Sequence, residues 1–171
     1  MLNLVLYNIG WFGIVLGVAQ GHPGIGSLIA VIALLLHLFS VKFRRSELLL
    51  IAAAICVGAL IESINNAFAV FKVSSGPVIG YFAPWLLLLW AGFAATFQHS
   101  LSWLARRYVL ASLLGACGGP LGFWAGEKLG AIDLSDDPAK LLLLAFEWAL
   151  ALPFLIWFSD RVAHGPQNEP S

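Results

Sequence analysis

Charge is what this sequence has least of. Only 11% of its 171 residues are Asp, Glu, Lys or Arg, against about a quarter in an ordinary water-soluble domain, and this shortage excludes a protein whose whole surface faces water. The nine basic and nine acidic residues cancel, and no basic run is long enough to form a platform for nucleic acid, which is excluded as a partner. Cysteine is scarce too. Cys56 and Cys117 lie in separate apolar runs, without the paired spacing of a thiolate site, and read as small core residues. The sequence also has no phosphate-binding glycine loop, no G-x-S-x-G elbow and no H-E-x-x-H pair. Its four histidines, His22, His37, His99 and His164, fall one to a segment, too few for the histidine-rich di-iron site of a membrane desaturase or hydroxylase. No metal and no cofactor is expected.

What fills the chain instead is apolar sequence. Hydrophobic residues make up 60% of it, arranged in runs between glycine, proline and charged breakers. A membrane-spanning helix takes about 20 residues, so the chain accommodates about six and no separate soluble domain. The prediction is an all-α, polytopic membrane helix bundle over residues 1–163, followed by a polar, flexible tail over 164–171. The spans read as Leu2 to Gln20, Ile25 to Val41, Glu47 to Phe71, Pro84 to Ala105, Tyr108 to Ile132 and Pro138 to Val162. The first lacks a basic n-region and is too long for a signal peptide, so it reads as a retained span.

Loop charge predicts the orientation. Lys42, Arg44 and Arg45 fall in the second loop and Arg106 and Arg107 in the fourth; the third and fifth offer only Lys72 and Lys140. Even loops, and both termini with them, are expected on the cytoplasmic side. A three-plus-three inverted repeat is not supported, because Glu62 lies 15 residues into the third span and Glu147 nine residues beyond Pro138.

Placed by depth at ~1.5 Å per residue, the polar side chains form two sets. Glu62, Asn65, Asn66, Glu127, Lys128 and Glu147 belong to the outer half; Asn8, His37, Gln98 and His99 belong to the inner half. Glu62 shares a helix face with a neighbouring amide. An ionisable group in the bilayer interior costs at least a few kcal/mol unless it faces the bundle and finds partners. Lys128 is the nearest cation by depth, while Glu127 and Lys128 point about 100° apart and each needs its own environment. The outer set predicts a polar cavity anchored by Glu62, taking a small amphipathic molecule or a lipid head group. A buried structural network, with Glu127 and Lys128 snorkelling, is the simpler alternative. In the inner set, hydrogen bonding between helices is the favoured role.

The fifth span carries Gly118, Gly122, Gly126 and Gly130 at four-residue intervals, with Pro120 among them. Such a ladder predicts close helix packing, and Pro120 predicts a kink. The most economical role for the ladder is to bring this helix against the third, so that their polar residues form one site.

The runs PWLLLLWAGFAATFQHSLSWL, GACGGPLGFWAGEKLGA and EWALALPFL resemble an uncharacterised family of small bacterial inner-membrane proteins, a domain of unknown function. The resemblance covers most of the chain and is densest from Pro84 to Pro153. It implies a multi-pass protein of the cytoplasmic membrane and supplies no catalytic residues. Members of that family are often encoded near enzymes that modify membrane fatty acids, which implies lipid-associated work. The resulting expectation is a non-enzymatic protein that binds or moves a small amphipathic or lipid-like molecule, with membrane lipids as partners. A membrane-embedded lipid-modifying enzyme or accessory subunit is the second expectation. The third is a structural partner that forms a homo-oligomer or docks another membrane protein.

Overall fold

The first two apolar runs fold back on each other as a tight pair, α1 (Leu2–Ala19) and α2 (Pro23–Ser40). Gly21 turns the chain with φ +74°, and Pro23 opens α2, where its missing N–H costs nothing. Close approach here depends on Gly26, since a Cβ at that position would run into the Gly13 carbonyl of α1. The chain continues through α3 (Arg44–Ala67), β1 (Phe71–Val73), α4 (Pro84–Ala94), α5 (Tyr108–Lys128), β2 (Ile132–Leu134) and α6 (Pro138–Ala163). This computed structural model describes residues 2–163; the tail expected over 164–171 lies outside the described residues.

Five of the six helices are long and apolar enough to cross a membrane, the exception being α4. Their outer faces carry large apolar side chains such as Phe39, Val109 and Leu142, which in water would be a standing cost and in lipid are solvated. The protein is a helical membrane bundle. The most extensive packing is α1 on α2 and α5 on α6, while α3 contacts α4 and α6, and α4 reaches α1 and α2. Two hairpins are thus joined through a central α3–α4 pair. One core gathers around Leu50, Trp90, Phe97 and Leu155, the other around Ile14, Val18, Trp85 and Ile132.

The fourth span differs from its predicted length. Helix α4 ends at Ala94 rather than Ala105, and its 11 residues give a rod of only ~16 Å, about half the hydrocarbon thickness. Thr96 helps end it by turning its hydroxyl onto the Phe93 carbonyl, 2.7 Å away, a local bond that competes with helix propagation. The chain then descends through turns such as His99 N to Thr96 O and Leu104 N to Leu101 O, with a 3-10 turn at Ser102–Leu104. Irregular backbone at membrane depth is tolerated where protein covers it, and Ala95, Phe97 and Leu104 are buried.

The third and fifth loops are not independent coil. Helices α3 and α5 stop before their predicted ends at Phe71 and Ile132, releasing β1 and β2 to pair antiparallel with Phe71 opposite Leu134, Lys72 opposite Asp133 and Val73 opposite Ile132. Ser74 N to Ala131 O and Ser135 N to Val70 O, each 2.9 Å, extend the ladder. Gly130, with φ +86°, makes the exit from α5 that a side chain would disfavour. Helices α5 and α6 run as single elements through Pro120 and Pro153.

Candidate functional site

Glu62 and Asn65 stand three residues apart on α3 and share its inner face, where both are completely buried. Facing them is Trp90 of α4, whose indole Nε1–H donates to Glu62 Oε1 at 3.0 Å. Gly58, one turn before Glu62, makes this possible: a Cβ there would strike the Trp90 ring. The other face of Trp90 lies on Trp148 of α6, with centroids 4.6 Å apart and planes inclined by 17°. Trp148 in turn rests against Gly119 and Gly115 of α5, where any Cβ would collide with it. A glycine, two stacked indoles and a second glycine therefore run through the bundle from α3 to α5. Glu147, next to Trp148 in sequence, is also buried, close enough to Glu62 and Asn65 for their charges and dipoles to interact.

This layer holds more polar groups than it satisfies. Glu62 Oε2 and the indole nitrogens of Trp85 and Trp148 are buried without a hydrogen-bond partner, and the Asn65 amide and Glu147 carboxyl, although beside each other, make no close hydrogen bond. Each such group costs about 1–3 kcal/mol, and buried polar atoms in native proteins are otherwise almost always paired.

Three of those residues, Glu62, Trp85 and Trp148, line a half-open cavity of about 210 Å³ between α1, α4, α5 and α6. Tyr7, Trp11 and Phe93 form its aromatic walls, and Gly118, Gly122 and Phe123 its α5 side. A second cavity, of about 230 Å³, lies under the loop between β1 and α4 and is bordered by Glu62, Asn66, Lys72 and Tyr81. Glu62 and Leu86 line both. The acid therefore stands where two cavities meet.

Within the bundle, Gly118 and Gly122 of the glycine ladder meet no other helix. A Cβ built at Gly118 or Gly122 meets nothing within 4 Å, and Gly118, Gly122 and Gly126 border the first cavity, while Gly130 belongs to the turn. The close contact of α5 is made by Gly115 and Gly119, and with α6 rather than α3. The reason is register: residues four apart share a face, and the face that meets Trp148 is offset by one position from the one that includes Gly118. Pro120 lies within α5, directly after Gly119.

Lys128 does not reach Glu62. Its ammonium lies 3.6 Å from Glu127 and 5.8 Å from the Trp124 ring, so the adjacent pair shares one environment after all. Long side chains at a helix end bend toward each other despite diverging Cβ vectors. Glu127 also accepts the Leu134 N–H at 3.3 Å, anchoring β2 to α5. Asn66 is exposed and borders only the second cavity.

At the opposite end of the bundle, His37 and His99 converge on a residue that sequence reasoning passed over as a helix boundary, Glu47. Gln98 accepts a hydrogen bond from Ser46 at 3.2 Å. Asn8 stays apart, its amide donating to the Leu4 carbonyl of its own helix at 2.8 Å. Asn3 occupies the inner position instead, accepting from Ser100 at 3.1 Å and donating to the Ala95 carbonyl at 3.4 Å.

Residues 1–154 match the family described as "Protein of unknown function (DUF2878)". No curated protein and no solved structure matches the chain.

Proposed function

The chain belongs to this family of proteins of unknown function, and from that premise we propose that it is a membrane protein binding a small amphipathic, lipid-like molecule in the groove between α1, α4 and α5. One observation carries the reading: the residues lining an aromatic-walled cavity include Glu62, whose buried carboxylate has one unpaired oxygen, and Trp85 and Trp148, whose buried indole nitrogens are unpaired. An apolar cavity with a few convergent polar groups is the usual form of a small-molecule site. Its volume of about 210 Å³ is below the ~300–1,000 Å³ of sites that enclose drug-sized ligands. The groove therefore suits one end of a longer molecule, with the remainder lying among the lipid chains.

The polar atoms specify that end. Glu62 Oε2 can accept, while Trp85 Nε1 and Trp148 Nε1 can donate, so the lining suits a head that both donates and accepts hydrogen bonds, such as a hydroxyl-bearing one. Gly118 and Gly122 leave the α5 wall without side chains, so an alkyl chain can lie directly on the helix backbone. A bacterial inner membrane, with both termini in the cytoplasm, is part of the same reading. It is supported by the gathering of Lys42, Arg44, Arg45, Arg106 and Arg107 in the two loops at one end.

Native mass spectrometry of the protein purified in nanodiscs tests the reading. A defined lipid is expected on the wild type and absent from both Glu62→Gln and Gly122→Leu, the latter placing a side chain in the groove where a Cβ meets no neighbour. Equal retention of that lipid by Gly122→Leu and wild type would refute the site.

A further inference from the structure

The polar cluster at the other end of the bundle has the composition and spacing of a metal site. His37 belongs to the last turn of α2 and Glu47 to the first turn of α3; the short hairpin between them brings the two together. His99 comes from the irregular segment after α4. His99 Nε2 lies 2.8 Å from Glu47 Oε1, and His37 Nε2 lies 3.3 Å from Glu47 Oε2. One ligand atom from each of the three residues lies within 4.8 Å of the other two, and the imidazole rings meet edge to face at 5.3 Å.

The two carboxylate–imidazole separations are those of hydrogen bonds and equally those of adjacent ligands on a single ion, which a small inward turn of the imidazoles would complete. With bonds of ~2.0–2.2 Å to nitrogen and oxygen, donor atoms subtending roughly 90–110° at the metal stand ~2.8–3.5 Å apart. Burial adds a second argument. Glu47 and His37 are buried almost completely, and among the described residues the ion-pair partners of Glu47 are these two histidines. Of the cations in this segment, Lys42 lies over the Phe43 ring at 5.6 Å and Arg44 over Phe39 at 5.3 Å. The arrangement is also braced from outside, because Ser46 and Gln98, the neighbours of Glu47 and His99, are hydrogen-bonded to each other. Outer contacts of this kind fix ligand orientation in metal sites.

We propose that His37, Glu47 and His99 bind one divalent transition-metal ion of the zinc or ferrous class. Two imidazoles and one carboxylate make three protein ligands, the number typical of sites that keep a position open for water or substrate. Access comes through His99, whose side chain is 37% exposed. A cavity of about 20 Å³ beside His37 has room for about one water molecule. The site lies at the opposite end of α3 from Glu62 and stands independently of the groove.

Cobalt(II) serves as the probe, titrated into full-length, chelator-stripped protein in detergent and followed by visible absorption, with zinc(II) as competitor. One equivalent is expected to bind, and His99→Ala and Glu47→Gln should each weaken binding by more than about tenfold, the least that loss of even an outer-shell partner brings. Loss of binding through misfolding is separated by His99→Cys in a background with Cys56→Ala and Cys117→Ala. That variant retains a ligand and should gain a thiolate-to-cobalt band in the near ultraviolet. Absence of saturable binding by the wild type, unchanged affinity in His99→Ala, or a folded His99→Cys protein without the thiolate band would each overturn the proposal.

Discussion

Trp90 lies flat on Trp148 while its indole nitrogen holds Glu62, with ring centroids 4.6 Å apart and a 3.0 Å hydrogen bond. One side chain thereby connects the acid of α3 to the packing of α5 on α6. Offset stacking of this kind adds about 0.5–1.5 kcal/mol beyond area burial, and here it also fixes where the carboxylate points.

The two types of glycine on α5 should respond oppositely to a single methyl group. Gly119→Ala drives a Cβ into the Trp148 ring and should cost about 1–3 kcal/mol, as overpacking does. Gly118→Ala, with open space before it, should instead stabilise by about 0.5–1 kcal/mol, the usual gain of Ala over Gly inside a helix. Thermal unfolding in detergent micelles measures both, and equal losses would contradict the register described for α5.

Removing the indole donor tests the tie between Trp90 and Glu62. Trp90→Phe retains an aromatic ring for the stack but takes away the N–H, leaving the carboxylate without its protein donor at a cost of about 1–3 kcal/mol. In a double-mutant cycle with Glu62→Ala, the coupling should exceed about 0.5 kcal/mol. Strict additivity would mean that the bond contributes nothing.

The pair at the end of α5 should behave as surface charge. Glu127 and Lys128 are 26% and 61% exposed in their side chains, so Lys128→Gln should change stability by less than about 1 kcal/mol, with the difference shrinking as salt is added. Under the proposed reading, lipid retention should be the same as in wild type. A large loss of lipid in Lys128→Gln would return that lysine to the Glu62 site.

Strand register offers a covalent test. Lys72 faces Asp133 across the β1–β2 ladder, and opposed Cβ atoms in such a pair lie about 4.5–5.5 Å apart. In a background lacking Cys56 and Cys117, Lys72→Cys with Asp133→Cys should form a disulfide readily under mild oxidation. Lys72→Cys with Ser135→Cys should do so poorly, and a reversed preference would shift the register.

The helix count, the apolar outer faces and the inward position of Glu62 were all legible in the sequence, because each follows from composition and a 3.6-residue period. So was the shared level of Glu62, Asn65 and Glu147, which depth along two adjoining helices is enough to suggest. What escaped has a common physical cause: it depends on partners distant in sequence. The end of α4 at Ala94 cannot be read from an apolar run that continues to Leu104, since burial by other helices is what makes its turns tolerable. Strands of three residues carry too little pattern to announce themselves before they pair. Glu47 looked like a helix boundary because its histidines come from other segments. Four-residue glycine spacing indicated a face of α5 without indicating what that face would meet, and the neighbouring Gly115 and Gly119 proved to be the packing pair.

The stacked indoles also give the protein an optical handle. Two near-parallel chromophores in contact couple electronically, and their absorption and circular dichroism depend on the angle between them. Because Trp90 is bonded to Glu62 and both indoles border the groove, the binding proposed at that carboxylate would act on the pair. The near-ultraviolet spectrum of the unlabelled protein would then report the proposed occupancy before the occupant is identified.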